Sequence, residues 1–195
     1  MMPKLIYFDV HGRGKLVRMV LQQAGVAFED ERLQRADWPD SPIQFSPWAS
    51  FPGSCSTTAA PLLGQSRAIA RYVAKQHGLA GANDFEVAQI NMITDGFEGF
   101  LVMFMPLVRE MESGADKHLQ VLENFLQKND SGWYVGDKVS WADLGIADML
   151  DRLNAPESQL PGVLVNFPKI RANIGKVKEL PNIKKYMETR PKRPR

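Results

Sequence analysis

Apolar residues gather first in a short block, Leu5-Ile6-Tyr7-Phe8, bounded by a glycine-flanked turn, Gly12-Arg13-Gly14. A run of that length with such an ending predicts a buried strand over 4–8. The period then changes, because Val17, Val20, Leu21 and Ala24 recur at helical spacing. They predict a helix over 14–24 that stops at Gly25. A second strand is expected at 28–33, and a further helix at 66–77 that ends at Gly78. Between Pro52 and Leu63 the residues are mostly small, do not alternate and include Pro61, so a strand there is weakly encoded. Strand–helix–strand followed by a helix predicts a small α/β domain over 1–79.

Ala80-Gly81-Ala82 reads as a linker, and the pattern from 83 to 195 is helical throughout. Asn83 with Glu86 three residues on is a capping signal. Ile90, Ile93, Phe97, Phe100, Phe104, Leu107 and Met111 then trace one seam at spacings of three and four, and Leu119, Leu122 and Leu126 mark the next helix. Ser140-Trp141-Ala142-Asp143 opens another, with Ser140 as N-cap, Asp143 at the third helical position and Val139 set to staple against Leu144. Ile170, Ile174 and Val177 form a further stripe, and Pro181-Asn182-Ile183 starts the last helix.

Composition narrows the function classes. The chain has 195 residues, with 24 Lys and Arg against 22 Asp and Glu. That balance gives no field strong enough to argue for nucleic acid. The basic run from Arg190 to Arg195 reads as a solvated tail. No apolar run approaches the ~20 residues of a membrane span. The first residues show no secretory leader, and the single cysteine, Cys55, suits a reducing compartment, so the cytoplasm is expected. His11, His77 and His118 lie far apart with no ligand spacing around them, and no metal site is assigned.

Three short features carry chemistry. Tyr7 is delivered by a strand into a glycine-flanked turn; by itself it is better explained as a strand-end aromatic whose hydroxyl reaches water. Gln65-Ser66 opens a helix, where Ser66 would be an ordinary N-cap, but the same helix end offers N–H groups and a positive dipole to a carboxylate. Trp38, in Ala36-Asp37-Trp38-Pro39, is a pure hydrogen-bond donor or a loop aromatic packed on the surface.

The order of these features resembles the sigma class of cytosolic glutathione transferases. The match rests on Tyr7 before the glycine turn, on Gln65-Ser66 with Ala68-Ile69-Ala70-Arg71-Tyr72 behind it, on Trp38, and on Trp141-Ala142-Asp143 and Asn166-Phe167-Pro168. It covers nearly the whole chain. The resemblance implies a thioredoxin-like α/β domain followed by an all-α domain, and a homodimer. It implies that Tyr7 and Arg13 stabilise the glutathione thiolate. Phe8, Trp38, Phe51, Pro52 (the family's cis-proline), Gln65 and Ser66 would hold the peptide, and Val10, Leu101 and Phe104 would meet a small apolar electrophile. It implies glutathione as the co-substrate, and neither nucleic acid nor membrane is expected as a partner.

The implied chemistry is physically sound. A glutathione thiol titrates near 8.5 like a free cysteine, and only its thiolate is a good nucleophile. A phenol donating a hydrogen bond to a charged partner contributes about 1.5–3 kcal/mol, enough to lower that pKa by about one to two units. The resemblance leaves two other outcomes open: glutathione-dependent isomerisation of a prostaglandin, and a structural or ligand-carrying role like that of the S-crystallins. Gly99 stands where the family usually has an aspartate that reaches the γ-glutamyl amine, and Pro42 where many members have a lysine.

Overall fold

The computed structural model describes residues 2–10, 12–34, 56–57, 63–107, 115–156, 158 and 161–191, without the side chains of 56–57, 100–107 and 115–116. By compactness the chain divides into two units, one of Met1–His77 with Lys185–Arg195, the other of Gly78–Lys184.

The first unit is built on a four-stranded sheet. Its strands are β1 (Lys4–Phe8), β2 (Glu29–Leu33), β3 (Ser56–Thr57) and β4 (Leu63–Gly64), in the order β2-β1-β3-β4. β1 pairs parallel to β2 and antiparallel to β3, and β4 is antiparallel to β3. Helix α1 (Gly14–Gln23) makes the connection that a parallel β1–β2 pair requires. β1 is the buried centre, with Leu5, Ile6 and Tyr7 all inside, and α1 buries the predicted Val17, Val20 and Leu21.

α1 stops as the sequence predicts, for a visible reason. Gly25 takes φ of +68° and donates to the Gln22 carbonyl, while the Val26 N–H reaches back to Leu21. This double bond pattern across a left-handed residue is cheap for glycine alone. Helix α2 (Ser66–Gln76) follows β4 and packs against α1. The weak encoding after Pro52 has its counterpart in β3 and β4, each two residues long. Backbone pairing to β1, rather than side-chain alternation, holds that edge.

The second unit is helical, with α3 (Asp84–Leu107), α4 (Ala115–Gln127), α5 (Trp141–Leu153) and α6 (Pro168–Lys178). α5 packs against α3 and α6, and α4 against the same two helices. Ile90, Ile93 and Phe97 are buried along α3, Leu119, Leu122 and Leu126 along α4, and Ile170, Ile174 and Val177 along α6. The seam positions Phe100, Phe104 and Leu107 lie on α3, and Met111 beyond it, outside the described side chains.

Both capping signals form. Asn83 Oδ1 accepts the Glu86 N–H at 3.0 Å, and Glu86 Oε2 accepts from Ala82, one residue earlier than a reciprocal box requires. Around α5 the box closes fully between Ser140 and Asp143. A third cap escapes local reading. Buried Glu123 of α4 accepts the Lys169 and Ile170 N–H groups at 2.9 Å each, closing the start of α6 from 46 and 47 residues away. The last helix, α7 (Pro181–Thr189), ends in the segment that belongs with the first unit. Among the described residues no helix is long and apolar enough to cross a membrane.

Candidate active site

Tyr7 sits at the carboxyl end of the central strand, 3% exposed, and its hydroxyl oxygen accepts the Arg13 backbone N–H at 3.0 Å. An oxygen that accepts such a bond is polarised toward donating its own proton. Residues 12–14 wrap the ring closely. A Cβ on Gly12 would stand 2.3 Å from the Tyr7 hydroxyl, and one on Gly14 would stand 2.4 Å from Cδ1 and 2.6 Å from Cγ. Neither glycine has a positive φ, so the constraint is space, not backbone conformation.

Gly14→Ala is therefore expected to push the ring out of its seat. The strain should cost about 1–3 kcal/mol, and any activity that depends on the Tyr7 hydroxyl should fall with it. Thermal melts and initial rates measured together check this; an unchanged melt with unchanged rate would show that the ring tolerates the shift.

Phe8 is half-buried, with its ring edge-on to Tyr7 at 6.1 Å, and it packs on Ile6 and Leu33. Arg13 is exposed and meets the Tyr7 oxygen through its main chain. Val10 is 51% exposed just past β1.

A line of alternating charge lies beside Tyr7. The β1–β2 register sets Leu5 against Asp30 and Tyr7 against Arg32, so these four share one face. Arg18, from α1, binds Asp30 through Nε at 2.9 and 3.0 Å, and its guanidinium carbon stands 5.8 Å from the Tyr7 ring centroid. Arg32 binds Asp30 at 2.7 Å and Asp9 at 3.1 Å. Sequence reasoning missed this set. The available signal was the charged strand Glu29-Asp30-Glu31-Arg32, polar on both faces, opposite an arginine within the apolar stripe of the first helix.

Gln65 and Ser66 emerge at the same edge of the sheet as Tyr7. Ile6 is level with Ser56 and Ser56 with Gly64, so β4 runs parallel to β1 and Gln65 comes level with Tyr7, two strands away. At ~4.8 Å per strand that separation is about 10 Å, the reach of roughly three extended residues. Among the described residues Gln65 is the one non-glycine with positive φ, at +71°, and nothing in the sequence announces it. A residue held in that region costs free energy and marks a site where geometry is being imposed. Its side chain is exposed at the start of α2, Ser66 is buried behind it, and no side-chain cap closes that helix end. The edge thus presents the carboxyl ends of β1, β2 and β4 and the amino ends of α1 and α2, which together favour a ligand carrying negative charge.

Trp38, Phe51 and Pro52 lie outside the described residues, as do the side chains of Leu101 and Phe104 on α3. Among the described residues no group of three or more His, Cys, Asp or Glu is gathered as a metal site would need.

Comparison with known proteins points one way. Residues 108–190 match the family profile of the glutathione S-transferase C-terminal domain. Glutathione S-transferase 1 of Ascaris suum is 40% identical, covering 98% of each chain. Hematopoietic prostaglandin D synthase of Gallus gallus is 30% identical over 97% of this chain and 96% of its own. The crystal structure of the glutathione S-transferase from Ascaris lumbricoides superposes with a TM-score of 0.87 at 37% identity, covering the whole of both chains.

Proposed function

The chain belongs to the glutathione S-transferase family, and we propose that it acts as a cytoplasmic, sigma-class transferase in which Tyr7 activates the glutathione thiol. The observation that carries this reading is the Tyr7 hydroxyl, polarised by the Arg13 N–H at the carboxyl end of the central strand. In this scheme the phenol donates to the sulfur, the thiol releases its proton to solvent, and the thiolate attacks a small apolar electrophile. The γ-glutamyl end of the tripeptide lies across the sheet edge at Gln65 and Ser66, where the free carboxylate meets the start of α2. Trp38, Phe51 and the Pro52 backbone complete the peptide's contacts, and Arg13 adds positive charge. The partner is a second copy of the chain. A cleft of about 380 Å³ in the helical unit supports that, lined by Met92, Phe97, Val121 and Phe125, of which Met92 and Val121 are more than half exposed.

The experiment is retention on immobilised glutathione, followed by conjugation of a reactive aryl halide and light scattering on the eluted protein. Retention, turnover and the mass of two chains are expected. Protein that neither binds the matrix nor turns over sinks the activity, and a monomeric mass sinks the pairing alone.

A second outcome of the same thiolate is isomerisation of a prostaglandin endoperoxide with glutathione regenerated. The similarity to the Gallus gallus synthase favours testing it, and product analysis separates it from conjugation.

A further inference from the structure

Arg18 is a buried charge to which the transferase scheme gives no task. Its side chain is 3% exposed. Nε shares both oxygens of Asp30, while Nη2 is buried with no hydrogen-bond partner. A buried ion pair is a poor device for stability, since apolar residues of similar volume often serve as well or better. An orphaned donor makes it poorer still. Packing therefore offers no reason for a guanidinium here. The Tyr7 ring 5.8 Å away does.

We propose that Arg18 is a positioning residue for Tyr7, bracing its ring within the glycine turn and supplying positive potential that favours a thiolate at the hydroxyl, with Asp30 setting how much of that potential reaches the site. The inference rests on Tyr7 being the thiol's hydrogen-bond donor. A guanidinium keeps its charge at every working pH, and a buried charge is screened far less by salt than an exposed one. Its field is therefore a constant of the site. Asp30 is the natural attenuator because it is itself shared with Arg32, which Asp9 holds in turn.

The charged groups around this point come from every packed element. Arg18 and the buried Lys15 stand on α1, Asp30 and Arg32 on β2, Asp9 just beyond β1, and Arg13 in the turn. From α7 and the residue after it, Tyr186 and Arg190 face the same set. Burial pushes the Tyr186 phenol above its ordinary value, with Arg18, Arg190 and Arg32 pulling it back, so Tyr186 stays neutral across the neutral range.

The test titrates the ultraviolet absorbance of bound glutathione thiolate, with kcat/KM against pH, in the full-length protein and in Arg18→Met, Arg18→Lys, Asp30→Asn and Tyr7→Phe. Arg18→Met should raise the apparent thiol pKa by about 0.5–1 unit and lower kcat/KM at pH 7 about 3- to 10-fold. Arg18→Lys keeps the charge and should leave the pKa nearly where it was. Asp30→Asn should move it the opposite way, downward. Should Arg18→Met fail to fold, the other two decide: a downward move in Asp30→Asn with none in Arg18→Lys supports the proposal. An unmoved pKa in Asp30→Asn, or an upward one, overturns it and leaves Arg18 a structural residue. Tyr7→Phe separates the layers. If it leaves the pKa in place, the Tyr7 reading itself fails; if it raises the pKa while the Arg18 and Asp30 variants leave it unmoved, only the Arg18 inference fails.

Discussion

Tyr7→Phe is expected to lower kcat/KM for conjugation at pH 7 by about 10- to 100-fold, the loss of a hydrogen bond to a charged partner worth about 1.5–3 kcal/mol. Without the donor the bound thiol should titrate closer to its free value of about 8.5, leaving thiolate a minority at neutrality. The deficit should therefore shrink as pH rises, and a rate profile from pH 6 to 9 tests both size and shape. Glutathione KM should change little, because the bond matters most once charge is on the sulfur. The removed hydroxyl also takes away one acceptor of the Arg13 N–H, a net cost of about 1 kcal/mol. A melt only a few degrees lower would distinguish lost chemistry from lost structure. Turnover like that of the parent enzyme at pH 7 would remove Tyr7 from the mechanism, whatever its burial.

Much of this site was visible in the residues because its parts are local. The strand, the glycine turn and the first helix occupy 4–24 without a break, and each has a short-range signal: an apolar run, a change of period, a glycine stop. The opening of α2 at Gln65-Ser66 was visible for the same reason, and so was the box at Ser140 and Asp143. What stayed hidden was made by contacts across the chain. Arg18 and Asp30 are 12 residues apart, Glu123 caps a helix 46 residues on, and Asn173 reaches Asp143 from 30 away. No window of sequence contains both partners of such bonds, so no periodicity reports them.

The two-residue strands β3 and β4 are hidden for another reason. A backbone ladder is indifferent to small side chains, so Ser56 and Thr57 pair with Ile6 and Leu5 without any alternation to announce it. The positive φ of Gln65 is the sharpest case. Glycine or asparagine would have signalled it, whereas glutamine gives no such sign.

The largest expected loss of stability lies in the helical unit, at Asp143. Its carboxylate is fully buried and accepts four hydrogen bonds: Ser140 N at 2.9 Å, Ser140 Oγ at 2.6 Å, and Tyr134 N and Asn173 Nδ2 at 3.0 Å each. Asp143→Ala would leave those donors buried, since Ser140, Tyr134 and Asn173 are themselves inside. A buried donor left unsatisfied costs about 1–3 kcal/mol, so losing the shared acceptor should cost about 3–5 kcal/mol in all, a large share of the roughly 5–15 kcal/mol that holds a domain folded. The melting temperature should drop by roughly 6–20 °C, or the protein should fail to accumulate folded.

Burial pushes the Asp143 carboxyl above its ordinary value of 3.8, opposed by the Ser140 hydroxyl, the two backbone N–H groups and Asn173. Over the interval from that value up to the raised one, the native state holds the proton more tightly than the unfolded chain. Stability drawn from this group is then greatest below the interval and declines as pH rises through it. The melting gap between the parent protein and Asp143→Ala should accordingly be wider near pH 4 than at pH 7. A gap that widens with pH would mean that the four donors outweigh burial and that the carboxyl titrates below its ordinary value. A variant that melts within a degree or two of the parent at both pH values would mean that the node contributes little to holding α5 in place.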